Sequence, residues 1–199
     1  MELGDSPLAG ARLERVHLHG VSLEERSAPD LRLTESRLDD VRLDGCEAAG
    51  LTLTDVVVAG GSWANLRAVR GSLTRVEARE VRATGADFAE TELRDVVFES
   101  CRLDLASFRF ARLARVAFLD CRLDEADFHG ATLSSVRFER CGLRRASFEN
   151  VSFSQSELSA CEWDGVVGAE SLAGTRIPIA DVLQLAPALA AALGISIVD

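Results

Sequence analysis

The sequence predicts an all-β solenoid of short straight sides with a C-terminal α-helical cap, and three observations carry that expectation. Apolar residues recur at every fifth position, residues 20 apart form columns of one type, and the pattern ends just after Trp163. At 199 residues the chain is long enough for one continuous core. It divides into a repeat region, 1–165, and a C-terminal module, 166–199.

Every fifth residue from Leu3 to Trp163 is apolar, 33 positions comprising 17 Leu, eight Phe, five Ala, two Trp and Val58. At the chain's apolar fraction of 47%, the chance of such a run is on the order of 10⁻¹¹. Two residues before each centre the side chain is nearly always small, with Arg26 the clear exception. The unit is small-x-(Leu/Phe)-x-x, as in Cys101-Arg-Leu-Asp-Leu and Ala126-Asp-Phe-His-Gly. A helix repeats every three to four residues and a strand every two. A period of five suits neither, but it suits a short extended piece with two inward side chains, followed by a turn.

Four such sides close a coil, so residues 20 apart should stack. Phe88, Phe108, Phe128 and Phe148 form one column, and Phe98, Phe118 and Phe138 another. Leucine columns, such as Leu33-Leu53-Leu73-Leu93-Leu113-Leu133, alternate with them. About eight coils at the ~4.8 Å strand spacing make a rod of roughly 38 Å. Between Gly61 and Ala83 the centres Ala68, Ala78 and Ala83 and the small positions Gly61 and Gly71 leave little to pack, which predicts a thin waist or bend.

This unbroken phase resembles the pentapeptide-repeat family over about 80% of the chain. The resemblance implies a right-handed quadrilateral β-helix.

After Trp163 the segment from Ile177 to Gly194 reads as a helix, with Pro178 in its first turn, Gly194 just past its end and Pro187 a possible kink. Leu185, Leu189 and Leu193 lie along one stripe, and Ile195-Ser-Ile-Val-Asp reads as a short strand. An uncovered solenoid end is an open edge, so capping is the least this module must do. Its ending, Ala-Ala-Leu-Gly-Ile-Ser-Ile-Val, resembles the tail of Qnr-type and mycobacterial fluoroquinolone-resistance pentapeptide proteins. That resemblance implies that Leu185, Leu189, Leu193, Ile195 and Ile197 divide between capping and a twofold homodimer contact.

Chemistry-bearing clusters are sparse. Cys101, Cys121, Cys141 and Cys161 fall in one inward column. Sulfurs ~4.8 Å apart along a line cannot surround one zinc at ~2.3 Å, so they read as free core thiols, and Cys46 lies in another column. His17, His19 and His129 should face outward without a third ligand set, and Thr34, Thr54 and Thr74 should form an exposed ladder. The triplet Arg-Leu-Asp beginning at Arg37, Arg42, Arg102 and Arg122 reads as a solvated ion-pair ladder. There is no nucleophile elbow, phosphate loop or metal-binding helix motif. No catalytic, cofactor-binding or metal residues are expected.

The net charge is −10, and all 22 basic residues are arginine. An acidic chain is a poor direct ligand for nucleic acid. The resemblance implies instead a DNA-mimicking binder of DNA gyrase or topoisomerase IV that protects against quinolones or toxins. Duplex DNA carries about 22 charges over ~38 Å, whereas this chain concentrates its charge in residues 1–60, with 12 acids and six arginines. The candidate acidic surface is therefore Glu24, Asp39, Asp40 and Asp44. No loop interrupts the register, unlike several Qnr-type proteins. The alternative is a structural scaffold binding a cytosolic protein through a flat face. The five cysteines and the start Met1-Glu2-Leu3-Gly4-Asp5 fit a cytoplasmic protein, and no apolar stretch is long enough to span a membrane.

Overall fold

A computed structural model describes residues 8–196. The strands are β1 (Arg12–Glu14), β2 (His17–His19), β3 (Arg32–Asp39), β4 (Thr52–Ala59), β5 (Ser72–Arg79), β6 (Glu92–Glu99), β7 (Arg112–Leu119), β8 (Thr132–Ser134), β9 (Arg137–Glu139), β10 (Ser152–Ser154) and β11 (Glu157–Ser159). All pair in parallel at an offset of 20 residues, Leu33 opposite Leu53 and Phe98 opposite Phe118. The path β1-β3-β4-β5-β6-β7-β8-β10 gives one side eight rungs, about seven turns from first to last. Single bridges such as Arg82↔Arg102 and Asp87↔Ser107 repeat the same offset on the remaining sides. The molecule is a four-sided parallel β-solenoid.

Its corners explain the period. Every fifth residue from Gly10 to Gly165 has a positive φ, 24 non-glycine residues and eight glycines. At 15 of them the amide of the next residue donates back three residues, as Cys46 N does to Leu43 O at 3.0 Å, which makes a type II turn with Gly45 at its left-handed position. A left-handed non-glycine residue costs about 1–2 kcal/mol. A buried Leu or Phe at the centre of a side contributes ~1.5–3 kcal/mol. A five-residue side is therefore favourable when its centre is large and marginal when it is alanine.

The two phenylalanine columns fill the C-terminal half. Rings stack at 5.4, 4.9 and 5.2 Å from Phe88 to Phe148, and at 5.2 and 4.9 Å from Phe98 to Phe138. The columns meet edge to face, as at Phe128 and Phe138, 5.6 Å apart. The leucine-lined coils beneath pack less fully. An apolar cavity of about 20 Å³ lies among Leu13, Leu33, Leu53 and Trp63. Trp63 is buried there with its indole N–H unpartnered among the described residues.

Through 61–83 the ladder continues without a break. The stretch is marked instead by a close approach. A Cβ on Gly61 (φ +89°) would lie 2.3 Å from Val41 O. The Ser62 N–Val41 O and Arg82 N–Gly61 O bonds are 3.2 Å, against 2.9–3.0 Å for the equivalent bonds of Arg42, Arg102 and Arg122.

Backbone pairing runs past residue 165 to Arg176, which bridges Glu157 at an offset of 19. A 3-10 turn, Ala169–Leu172, shortens that last coil by one residue. Helix α1 (Ile179–Ala192) follows, with Pro178 as N-cap and Pro187 inside it. Gly194 (φ +69°) closes it in a Schellman motif, Ile195 N donating to Ala190 O at 2.8 Å and Gly194 N to Ala191 O at 3.0 Å. The predicted helix thus begins two residues late, and the predicted terminal strand falls largely beyond the described residues.

Two outcomes test this account. Phe128→Ala should lower unfolding free energy by about 3–5 kcal/mol in a urea titration. In hydrogen exchange, the Ser62 and Arg82 amides should exchange faster than those of Arg102 and Arg122.

Candidate functional site

Parallel coils leave one recurring amide short of an acceptor, and the smaller inward position supplies it. Val16 N donates to Ser36 Oγ and Val136 N to Ser156 Oγ, each at 3.1 Å, and Gly71 N to Thr91 Oγ1 at 3.4 Å. In every case the side chain sits 20 residues ahead. The cysteine column does the same with sulfur. The backbone amides of Val81, Cys121 and Cys141 meet the sulfurs of Cys101, Cys141 and Cys161. Each thiol in turn donates to carbonyls, Cys121 Sγ lying 3.3 Å from both Phe98 O and Leu119 O. All five cysteines are free and buried. The bond to the thiol beneath, then burial, pushes the Cys121 and Cys161 thiols up, and burial alone does most of this for Cys46.

Asp181 ends this column. It lies 20 residues beyond Cys161, in the first turn of α1, and is 3% exposed. Its Oδ1 accepts from Cys161 N at 2.8 Å and Trp163 Nε1 at 3.1 Å, and its Oδ2 from Ala160 N at 3.1 Å. The sequence reading missed this residue, although the 20-residue count from the cysteines points to it. Leu185 is fully buried beneath the helix and Leu189 packs half-buried beside it. Leu193 and Ile195 stand 75% and 56% exposed. Ile179 and Leu183, at 75% and 70%, join them, although the stripe of four-residue steps did not include them. Ile197 lies outside the described residues.

The outward charges pair chiefly between coils. Arg75 and Asp55 meet at 2.7 Å, Arg115 and Asp95 at 2.8 Å, and Arg140 and Asp120 at 2.7 Å, each pair 20 residues apart. These bonds hold the three carboxyls below their ordinary range. Of the Arg-Leu-Asp triplets, Arg37 pairs within its own at 2.9 Å. Arg122 reaches Asp104 at 3.4 Å and its own Asp124 at 3.7 Å, whereas Arg42 turns to Glu24 at 2.8 Å. Arg102 pairs with no carboxylate among the described residues.

The four candidate acids do not form one patch. Glu24 is held by Arg42. Asp39 accepts from Arg37 and from His17, at 2.9 and 2.6 Å, and both bonds lower its pKa, Arg37 first. Asp44 accepts from Ser62 Oγ and from Ala64 N. Asp40, at a corner, has no ion pair among the described residues, and the same holds for Glu25 and Asp30 at two other corners. His129 is half-buried, edge-on to Phe110 at 5.6 Å, with Glu149 3.9 Å away. Among the described residues no three His, Cys, Asp or Glu side chains are grouped to hold a metal ion. No helix there is long and apolar enough to cross a membrane.

Residues 71–148 match the family model of the pentapeptide repeat region. Those residues are pentapeptide repeats. Solved structures similar to it include QnrB1, described as a plasmid-mediated fluoroquinolone resistance protein. It is 14% identical over 96% of this chain and 93% of that one, with a TM-score of 0.42. HetL, a pentapeptide-repeat protein involved in heterocyst differentiation regulation in the cyanobacterium Nostoc, is 16% identical over 87% and 90%, with a TM-score of 0.36. Rfr23 from the cyanobacterium Cyanothece is 16% identical over 80% and 88%, with a TM-score of 0.31. No curated protein sequence matches.

The raised thiols of this pentapeptide-repeat core set a pH dependence. A thiol harder to ionise in the fold than in the unfolded chain contributes its full stability below the unfolded pKa of ~8.5. That contribution is lost as pH rises above it, because the unfolded state then binds fewer protons. For Cys46, raised chiefly by burial, the fall in urea midpoint from pH 8 to pH 10, measured in reductant, should therefore be smaller in Cys46→Ser than in the parent.

Proposed function

We propose that this chain is a non-enzymatic, cytoplasmic, protein-binding pentapeptide-repeat rod that takes no cofactor. It self-associates through α1 and presents acidic corners to a basic protein surface. The partner proposed is DNA gyrase or topoisomerase IV, approached by DNA mimicry, with protection against quinolones or toxins as the outcome. The observation that carries this reading is a set of acidic corners without an ion pair in the first coils. From Asp55 to Arg145 many corner charges are tied to a neighbour in the next coil, Glu80 and Glu90 excepted, and Arg15 and Glu35 are tied in the first coils. Glu25, Asp30 and Asp40 in the first coils have no such tie among the described residues, so their charge is available to a partner. The choice of partner rests on the acidic balance and on the tail's resemblance to the fluoroquinolone-resistance proteins. The uncovered Ile179, Leu183, Leu193 and Ile195 support a homodimer.

The flat, charge-paired middle supports a second reading, a scaffold that binds another cytosolic protein through a ladder face. Gyrase supercoiling assays separate the two. Inhibition at micromolar protein, altered by ciprofloxacin, is expected, and no effect in either condition removes gyrase. Reversing Glu25, Asp30 and Asp40 to arginine should weaken inhibition at least tenfold, and unchanged inhibition places the contact elsewhere. Light scattering should give two chains per particle for the parent. Ile179→Glu with Leu183→Glu should give one, with a thermal midpoint close to the parent's because both side chains are exposed.

A further inference from the structure

We infer that Asp181 is the latch that terminates the solenoid, and that without its carboxylate the edge beneath α1 becomes a docking edge for the first coil of a second copy. The inference rests on where the backbone donors go. Throughout the rod, some amides of a coil donate back and others forward to the carbonyls of the next, as Leu143 N does to Glu162 O at 2.9 Å and Phe148 N to Val167 O at 2.9 Å. At the last coil no further strand follows. The donors at Ala160 and Cys161, with the Trp163 indole, turn instead to one buried carboxylate. Asp181 thus stands in for two acceptors of a missing coil, the carbonyl that would meet Ala160 N, as Ser159 O meets Arg140 N, and the inward side chain that would meet Cys161 N, and its helix covers that edge.

The complementary surface is on the same chain. Arg32 N and Arg37 N donate back to Ala11 O and Val16 O, while Thr34 O and Asp39 O accept from Arg15 N and Gly20 N. One coil earlier, the equivalent groups are the N–H groups of Arg12 and His17 and the carbonyls of Glu14 and His19. These face away from the second coil, with no strand against them among the described residues. Up to residue 165 the C-terminal end keeps the 20-residue period and four-sided section of the first coil, so those sides match it in register, and only the side ending at Arg176, offset by 19, does not. Such a contact joins unlike surfaces and does not close on itself, so it grows into open chains of molecules. It differs from the proposed twofold contact through α1, which stops at two chains.

The test follows particle mass by light scattering across protein concentrations, with circular dichroism on every variant. Asp181→Ala should give mass that rises with concentration well past two chains, whereas Asp181→Asn, which keeps one acceptor oxygen, should shift less. Chain ending at Arg176 should polymerise more strongly still, with fibre diffraction at ~4.8 Å. Adding Arg12→Pro and His17→Pro, which remove two donors of the receiving edge, should return the mass to one or two chains. If the chain ending at Arg176 keeps the parent's β spectrum and does not exceed two chains, the latch is overturned. If it polymerises equally with the two prolines, the first coil is not the occupant. Failure of the gyrase assay or of the twofold dimer leaves these outcomes unaffected.

Discussion

A left-handed residue at every fifth position is the constraint from which the structure follows. It makes each side five residues long, limits inward side chains to two per side and brings every coil back over the last after 20 residues. Most of these corners are not glycine, and at a cost of about 1–2 kcal/mol each they persist only because inter-coil amide bonds and filled centres hold them. Stability is therefore local to neighbouring coils. The stacked phenylalanines of the C-terminal half offset their corners amply, whereas the alanine centres near Ala68 and Ala78 barely do so.

The same geometry creates an amide that the regular ladder leaves unanswered. Serine, threonine and cysteine at the small inward position answer it from one coil ahead. This gives the cysteine column a structural role without invoking metal or redox chemistry. Asp181 is the last member of that series, and the only carboxylate in it among the described residues. A charged group can be buried there because three donors converge on it. The indole of Trp163 is satisfied by this arrangement, whereas that of Trp63, in the same column but far from the cap, is not.

On the surface, a 20-residue repeat places each charge directly against those of adjacent coils, so pairing is settled by column rather than by strand. Alternation such as Asp55-Arg75-Asp95-Arg115 neutralises a corner and removes it from long-range electrostatics. Corners left without an ion pair among the described residues include Glu25, Asp30 and Asp40 in the first coils and Glu80 and Glu90 in the middle, and the exposed large apolar side chains include Leu105, Phe110 and the outer face of α1.

Sequence alone determined the solenoid, its register and the identity of the buried columns, because a strict period with no insertions leaves one way to bury every fifth residue. It also held the corner signal, since eight of the 15 glycines fall at those positions. Tertiary structure alone decided which charges pair, and so why Glu24, Asp39 and Asp44 are occupied while Glu25, Asp30 and Asp40 are not. Long side chains choose among partners above, below and beside them, and a one-dimensional count does not rank those choices. It also decided how α1 lies. Leucine spacing identified an apolar stripe, but the carboxylate of Asp181 set the helix's phase, burying Leu185 and leaving Ile179 and Leu183 outside.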